Sequence, residues 1–420
     1  MTRKSLADWL QWQESLSPSA IDLSLERTRV VADRLSVELP VNGVFTIAGT
    51  NGKGSSAHFL EGLMIANGRS TAVYSSPHLV RYNERIRLNG AAVTDGCLIE
   101  SFEAVERARQ DVPLTFFEFG TLAAIVTFSR AQAEVWILEV GLGGRFDAVN
   151  IIDPDYSLIT TVALDHQKWL GDTVEAIAAE KAGIMRAAAP AFFGDTPIPE
   201  SIVSRARELN TRLFCLGGDF DYESGADTWS WRGVEQALTE LRYPAVADEV
   251  QMRNVSLVLA AVEAQDATAL TSKAVNEALA RPLPPGRFQV VERRHQWVLD
   301  VAHNQQAARV LRNRLELLGA ASETTAVISM LVDKQVDRFV TELTGIVDRW
   351  IVCAVHDPRS GSAEDLAAQI KSAAGQKVIQ GIDPGGAFEM AEQVTADGGR
   401  ILVCGSFRIV GPALEWLGLY

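Results

Sequence analysis

A chain of 420 residues exceeds one ordinary hydrophobic core and predicts two domains. With 47% hydrophobic and 22% charged residues it has the composition of a globular protein, and its net charge of −14 excludes an extended nucleic-acid-binding surface while leaving room for a local basic pocket. Four widely separated cysteines, Cys97, Cys215, Cys353 and Cys404, exclude a disulfide framework or a zinc site and point to reduced thiols of a cytoplasmic protein.

Asp8, Gln11, Gln13 and Glu14 break up the N-terminal segment, so no signal peptide is predicted. The longest apolar stretch, residues 116–128, contains Glu118 and is too short to span a bilayer, so no membrane partner is expected. Ser5 and Asp8 cap a first helix, and a second covers residues 25–35. Residues 44–48 then read as a buried strand, followed by Gly49-Thr-Asn-Gly-Lys-Gly-Ser55 and a helix ending near Asn67-Gly68. Strand, glycine loop and helix place backbone N–H groups and a helix N-terminus around a phosphate, with Lys53 as a mobile cation and the hydroxyls of Ser55 and Ser56 near phosphate or magnesium. The spelling departs from G-x-x-x-x-G-K-[ST], with only two residues between Gly49 and Gly52; the plain alternative is a tight turn with a surface lysine.

A strand at 71–75 runs into Ser76-Pro77-His78 and then Arg81, Arg85 and Arg87, which form either a solvated face or an anion-binding loop. Helices follow at 100–110 and 116–130. The near-continuous apolar strand 135–140 belongs inside a parallel sheet and carries Glu139 near its C-terminal end, at the edge where a magnesium-binding acid stands beside a phosphate loop, unless Glu139 only caps a neighbouring helix. A strand at 157–164 leads to His166, a candidate metal ligand or phosphate contact on the same edge. Strand 191–194 closes this run, and residues 196–250 carry only weak patterning. A helix starts at Asn254, the Pro-rich 281–287 segment marks a boundary, and strands at 297–302, 325–330, 350–355 and 400–406 form a second, smaller doubly wound domain.

Six motifs then stand in order: the glycine loop; Ser75-Ser-Pro-His-Leu79; Glu139-Val-Gly-Leu-Gly-Gly-Arg145 with Asp147 and Asn150; Leu164-Asp-His166 with Glu180-Lys-Ala-Gly-Ile184; Pro285-Gly-Arg287; and Asp300-Val-Ala-His-Asn304. Together they resemble the folylpolyglutamate synthase/dihydrofolate synthase family, relatives of the Mur peptide ligases, from Ile21 to Phe407. The resemblance implies an α/β fold: a P-loop-type ATP-binding domain on a mostly parallel sheet (1–283) and a smaller Rossmann-like glutamate ligase domain (284–420). It implies an ATP-dependent ligase that phosphorylates a carboxylate and joins it to the amine of glutamate. The implied substrates are ATP, L-glutamate, dihydropteroate and reduced folates, and the implied state is a monomer.

By the same resemblance, Gly49, Thr50, Asn51, Gly52, Lys53, Gly54, Ser55, Asn254, Arg287, Asp300 and His303 bind ATP. Ser76, Glu139 and His166 bind Mg2+, with two ions expected, and Lys181 joins them if carbamylated to N6-carboxylysine; its plain role is an ion pair. Lys53, His166 and Lys181 form the implied catalytic set, and the two-domain site implies closure on binding. Thr115, Phe117, Asp147, Ala148 and Arg81 match the pterin site of the bifunctional members, with Phe117 stacking on the pterin or merely packing in the core. Gln305, Phe146 and Val149 depart from the usual proline, leucine and threonine. The alternatives are a synthase of polyglutamate alone, a Mur-type ligase, a nucleotide-regulated binder without turnover and an ordinary P-loop NTPase; Gly54 directly after the lysine opposes the Mur reading.

Overall fold

The structure, a computed structural model, describes residues 4–17, 22–355, 357, 359–376 and 378–420; Ile21, where the N-terminal motif begins, lies outside them. The chain separates into two compact units, one formed up to Pro77 and by Asn83–Pro282, the other by His78–Tyr82 and Leu283–Tyr420.

The first unit is built on an eight-stranded sheet of β1 (Val44–Ala48), β2 (Thr71–Tyr74), β3 (Ile86–Leu88), β4 (Ala91–Ala92), β5 (Val135–Glu139), β6 (Tyr156–Ile159), β7 (Ala191–Phe193) and β8 (Leu213–Cys215). The order is β4-β3-β2-β5-β1-β6-β7-β8, parallel from β2 to β8, with β3 and β4 antiparallel at one edge. Every residue of β1 and β5 is buried because both faces are covered. Phe45, Ile47, Val135 and Ile137 face a core shared with the helices Lys53–Ala66 and Glu249–Asp266, while Trp136 packs on Phe128 from the helix Phe116–Ala131 on the opposite face. The neighbours β1 and β5 send the chain to opposite sides, β1 on to β2 and β5 on to β6, and the crevice so formed lies at the carboxyl ends of these strands.

The weakly patterned residues 196–250 fold into the helix Glu200–Glu208, β8 and an antiparallel meander of β9 (Asp221–Ser224), β10 (Trp229–Arg232) and β11 (Ala237–Leu241). Trp229 and Trp231 both point into the core, so the two tryptophans anchor a small sheet whose short strands carry too little alternation to announce it. Two helix starts also lie upstream of their expected positions. Thr94 caps Asp95–Arg109 by accepting from the Cys97 N–H, and Asp248 caps Glu249–Asp266.

The second unit is a six-stranded sheet of β12 (Gln289–Glu292), β13 (Gln296–Leu299), β14 (Thr324–Ile328), β15 (Arg349–Val352), β16 (Val378–Gln380) and β17 (Arg400–Cys404), ordered β12-β13-β17-β14-β15-β16. All neighbours are parallel except the β12–β13 hairpin. Val298, Ala326, Trp350 and Leu402 face one core and Trp297, Val327, Ile351 and Ile401 the other, the two-sided burial of a doubly wound domain. Both units are α/β with mostly parallel sheets, as the order of elements predicts. Among the described residues no helix is long and apolar enough to cross a membrane.

Candidate active site

The loop after β1 is laced to the end of β6. Thr50 N–H donates to Thr161 O (2.8 Å), Thr160 Oγ1 to Asn51 O (2.6 Å), and Ala163 N–H to Thr50 Oγ1 (3.0 Å). Consequently β6 stops at Ile159 and not at residue 164, because residues 160–163 turn to hold the loop. Glycine is required twice. A Cβ on Gly49 would lie 1.8 Å from Thr160 Oγ1, and one on Gly52, whose φ is +88°, would lie 2.4 Å from Asn254 Oδ1. Lys53 Nζ folds back to donate to Gly49 O (2.9 Å) and Thr50 O (3.3 Å), which keeps the cation over the loop. Asn254 is 3% exposed and its Nδ2 has no hydrogen-bond partner among the described residues, a buried donor held against the loop. Gly54 and Ser55 lie in the first turn of the helix Lys53–Ala66, whose N-terminal N–H groups and dipole favour an anion.

Gly52→Ala is therefore expected to weaken ATP binding at least about tenfold, measured by calorimetry, because the new methyl must displace Asn254 and the residue must keep a left-handed backbone. Unchanged affinity would mean that the loop does not use this conformation to bind nucleotide.

Glu139 ends β5, level with Ile47 of β1, and is buried. Its Oε2 accepts the Ser76 N–H at 3.2 Å, so the segment after β2 is tied to the carboxylate on the next strand. The loop after β5 packs on the helix Val174–Ala182: Arg145 N–H donates to Glu180 O (2.9 Å), and a Cβ on Gly144 would meet that same oxygen at 2.8 Å. This close approach brings Lys181 to the crevice. Lys181 is buried, and its amine is pushed down to about 7, by burial first and then by the charge of Lys53; Asp165, Glu180 and Asp147 act in the opposite direction. His166 sits half-buried at the N-terminus of Gln167–Leu170 with φ +50°, its N–H donating to Asp165 Oδ1 (2.8 Å).

Hydroxyl, carboxylate and imidazole are donors that suit Mg2+ or Mn2+, so Ser76, Glu139 and His166 fit a hard divalent ion by their chemistry. Only two of the three are His, Cys, Asp or Glu, and among the described residues no three of those types gather as a ready metal site.

Phe117 and Asp147 converge on Gly141: a Cβ there would stand 2.6 Å from Phe117 Cζ and 3.3 Å from Asp147 Oδ2. Phe117 is half-buried, 5.9 Å from Tyr74, and so is not consumed by the core. The buried Asp147 carboxylate accepts from Leu142 N–H (2.8 Å) and Val149 N–H (3.0 Å); burial nevertheless pushes it up to about 6. The Gly141 backbone N–H also acts on this carboxylate, which with three backbone donors keeps at most part of its acceptor capacity for a ligand N–H. Ala148 is buried at the start of the short helix that Asp147 caps. Thr115 is buried too, its hydroxyl engaged with Glu118 in the capping box of Phe116–Ala131.

The three arginines form neither a shared solvated face nor a shared anion loop. Arg81 is exposed and belongs to the second unit, Arg85 is buried over the Phe116 ring (5.6 Å), and Arg87 pairs with Glu61 (3.1 Å). In the second unit, Asp300 accepts from Phe288 N–H (2.9 Å) and Ala302 N–H (2.8 Å) and lies 3.5 Å from Arg314; burial raises its pKa against the pull of Arg314 and Arg287. Arg287 and His303 share the Phe407 ring, at 5.4 and 6.0 Å, and His303 Nδ1 is 2.8 Å from Val301 O. Asp165, Thr160 and Thr161 are site neighbours that the sequence hardly marks; the position of Asp165 directly before His166 is the one available signal.

The family description "Mur ligase middle domain" matches residues 47–214, and "Mur ligase, glutamate ligase domain" matches 286–407. The Escherichia coli (strain K12) protein named dihydrofolate synthase/folylpolyglutamate synthase is 40% identical over 411 residues, 98% of this chain and 95% of that one. The structure of E. coli FolC with DHPP and ADP is similar at a TM-score of 0.92 and 38% identity, covering 99% of this chain and 98% of that chain. A bifunctional folylpolyglutamate synthase/dihydrofolate synthase with Mn, AMPPNP and L-glutamate bound is similar at 0.90 and 39%, with the same coverage. The chain belongs to the dihydrofolate synthase/folylpolyglutamate synthase family, within the Mur ligase fold.

Proposed function

We propose that this protein is an ATP-dependent carboxylate–amine ligase that adds L-glutamate to dihydropteroate, forming dihydrofolate, and to tetrahydrofolate carrying one or more glutamates. The observation that carries the reading is the 40% identity, along 98% of the chain, to a protein named for both activities. In the reaction, a carboxylate oxygen of the folate substrate attacks the γ-phosphorus of ATP, and the bond to the β-phosphate oxygen breaks to release ADP. The glutamate amine then attacks the acyl phosphate carbon, losing a proton as inorganic phosphate departs.

The residues divide these tasks. Backbone N–H groups of Gly49 to Ser55 and the Asn254 amide hold the nucleotide, and Lys53 leaves the loop carbonyls for the outer phosphates. Ser76, Glu139 and His166 would hold the divalent cations, two in number, with Lys181 as N6-carboxylysine supplying the anionic fourth donor. A bound ion neutralises charge on the transferring phosphoryl group. Lys53, His166 and Lys181 are the catalytic set; Thr115, Phe117, Asp147, Ala148 and Arg81 receive the pterin and folate. The half-buried Phe117 ring beside the Asp147 carboxylate supports that assignment, offering one stacking face and one acceptor.

On the second unit Arg287, Asp300 and His303 serve ATP. Residues 1–283 form the nucleotide- and folate-binding domain, and 284–420 the glutamate ligase domain. The net charge of −14 and the four free cysteines support a cytoplasmic monomer that handles small molecules without nucleic acid or membrane.

Phosphate release dependent on glutamate and Mg-ATP is expected with dihydropteroate and, separately, with tetrahydrofolate. Release with tetrahydrofolate alone would leave a polyglutamate synthase and remove the pterin assignment of Phe117 and Asp147. Silence with both, in protein that still binds ATP, would favour a Mur-type ligase or a nucleotide binder without turnover.

A further inference from the structure

Glu61 lies two turns into the helix that begins with Lys53 and is completely buried. Its Oε2 accepts from Arg87 Nε (3.1 Å) and its Oε1 from Gly90 N–H (3.1 Å), so the carboxylate is compensated by one guanidinium and one backbone donor. The same guanidinium donates through Nη1 to Ser75 Oγ (3.1 Å). Ser75 is also held by its own N–H, which donates to Arg85 O (2.9 Å). The next residue, Ser76, donates its N–H to Glu139 Oε2. An unbroken chain of hydrogen bonds and one peptide link thus runs from the phosphate-loop helix through Arg87 to the candidate metal carboxylate.

We propose that Arg87 is a positioning residue for the metal site: it sets the Ser75–Ser76 turn at a fixed distance from the Lys53 helix, so that the Ser76 hydroxyl and Glu139 face the outer phosphates together. This rests on the reading of Ser76 and Glu139 as metal ligands. A planar guanidinium with several fixed N–H groups bonds the buried acid and the serine at once, whereas a lysine ammonium is a point charge on a flexible stem. A residue that only neutralised Glu61 would not need its second arm on Ser75.

The test is Mn2+ binding to the protein–ADP complex, followed by electron paramagnetic resonance without turnover, beside the melting temperature and the affinity for ADP without metal. Arg87→Lys is expected to keep the ion pair and the melting temperature while weakening Mn2+ about tenfold, and Ser75→Ala to weaken Mn2+ with stability and metal-free ADP affinity unchanged. Arg87→Met removes both arms and is expected to lose stability as well, since it leaves a buried carboxylate without its cation. Mn2+ affinity within twofold of wild type in both Arg87→Lys and Ser75→Ala would overturn the proposal even if Arg87→Met failed to fold. No Mn2+ uptake by the wild-type complex would overturn the metal assignment itself, and this proposal with it.

Discussion

Glu139→Gln is expected to cut glutamate-dependent phosphate release about a thousandfold or more, roughly 4 kcal/mol of transition-state stabilisation, while the protein stays folded. The amide is isosteric, and its oxygen can still accept the Ser76 N–H that now reaches Oε2 at 3.2 Å. The side chain is buried at the end of a strand whose every residue is covered, so losing its charge relieves burial and leaves packing in place. What the variant loses is an anionic oxygen donor for a hard cation, and with it the neutralisation that phosphoryl transfer to a negatively charged carboxylate demands. Circular dichroism and melting temperature should match wild type. Turnover at the wild-type rate in such protein would remove Glu139 from the metal set and return it to a strand-end cap.

Lys181→Met is expected to lower turnover at least about a hundredfold, with ATP affinity much less affected. As a buried ammonium, Lys181 would add a second positive charge near Lys53; as a carboxylysine it becomes an anion among metal ligands. In that conversion the neutral amine attacks carbon dioxide, a C–N bond forms and a proton is released. The direction with pH follows from burial. The amine, lowered from 10.5 to about 7, is neutral above that value and cationic below it, so carbamylation grows as pH rises through neutrality. With 13C-labelled bicarbonate, a carbamate carbon signal should strengthen from about pH 6 to about pH 8 in the wild-type protein and be missing from Lys181→Met. No signal at any pH would leave Lys181 as the ion-pair partner of Asp165 and Glu180.

What the residue order determines by itself is local or repetitive. The apolar β1 run, the glycine loop and the helix behind it are encoded within 23 consecutive residues, Val44–Ala66, by features a single segment can carry: β-branched residues, left-handed glycines and helical spacing. The apolar run that opens β5, residues 135–138, likewise announces a sheet covered on both faces, and the carboxylate at its last residue, Glu139, announces the functional edge. Six motifs in order identify the family for the same reason, since each is a short string.

Only the tertiary structure decided which distant residues meet. Asn254 Oδ1 stands where a Gly52 side chain would go, two hundred positions away in sequence, and no periodicity in either segment encodes that approach. The arginine-rich stretch 81–87 is split three ways by burial, because each guanidinium goes to whichever acid, ring or surface lies opposite it once the sheet edge forms. The Trp229–Trp231 meander pairs antiparallel strands of four or five residues, too short to show alternation above background. The depressed pKa of Lys181 and the raised one of Asp147 are set first by desolvation, and desolvation exists only when the loop after β5 has closed onto the helix Val174–Ala182.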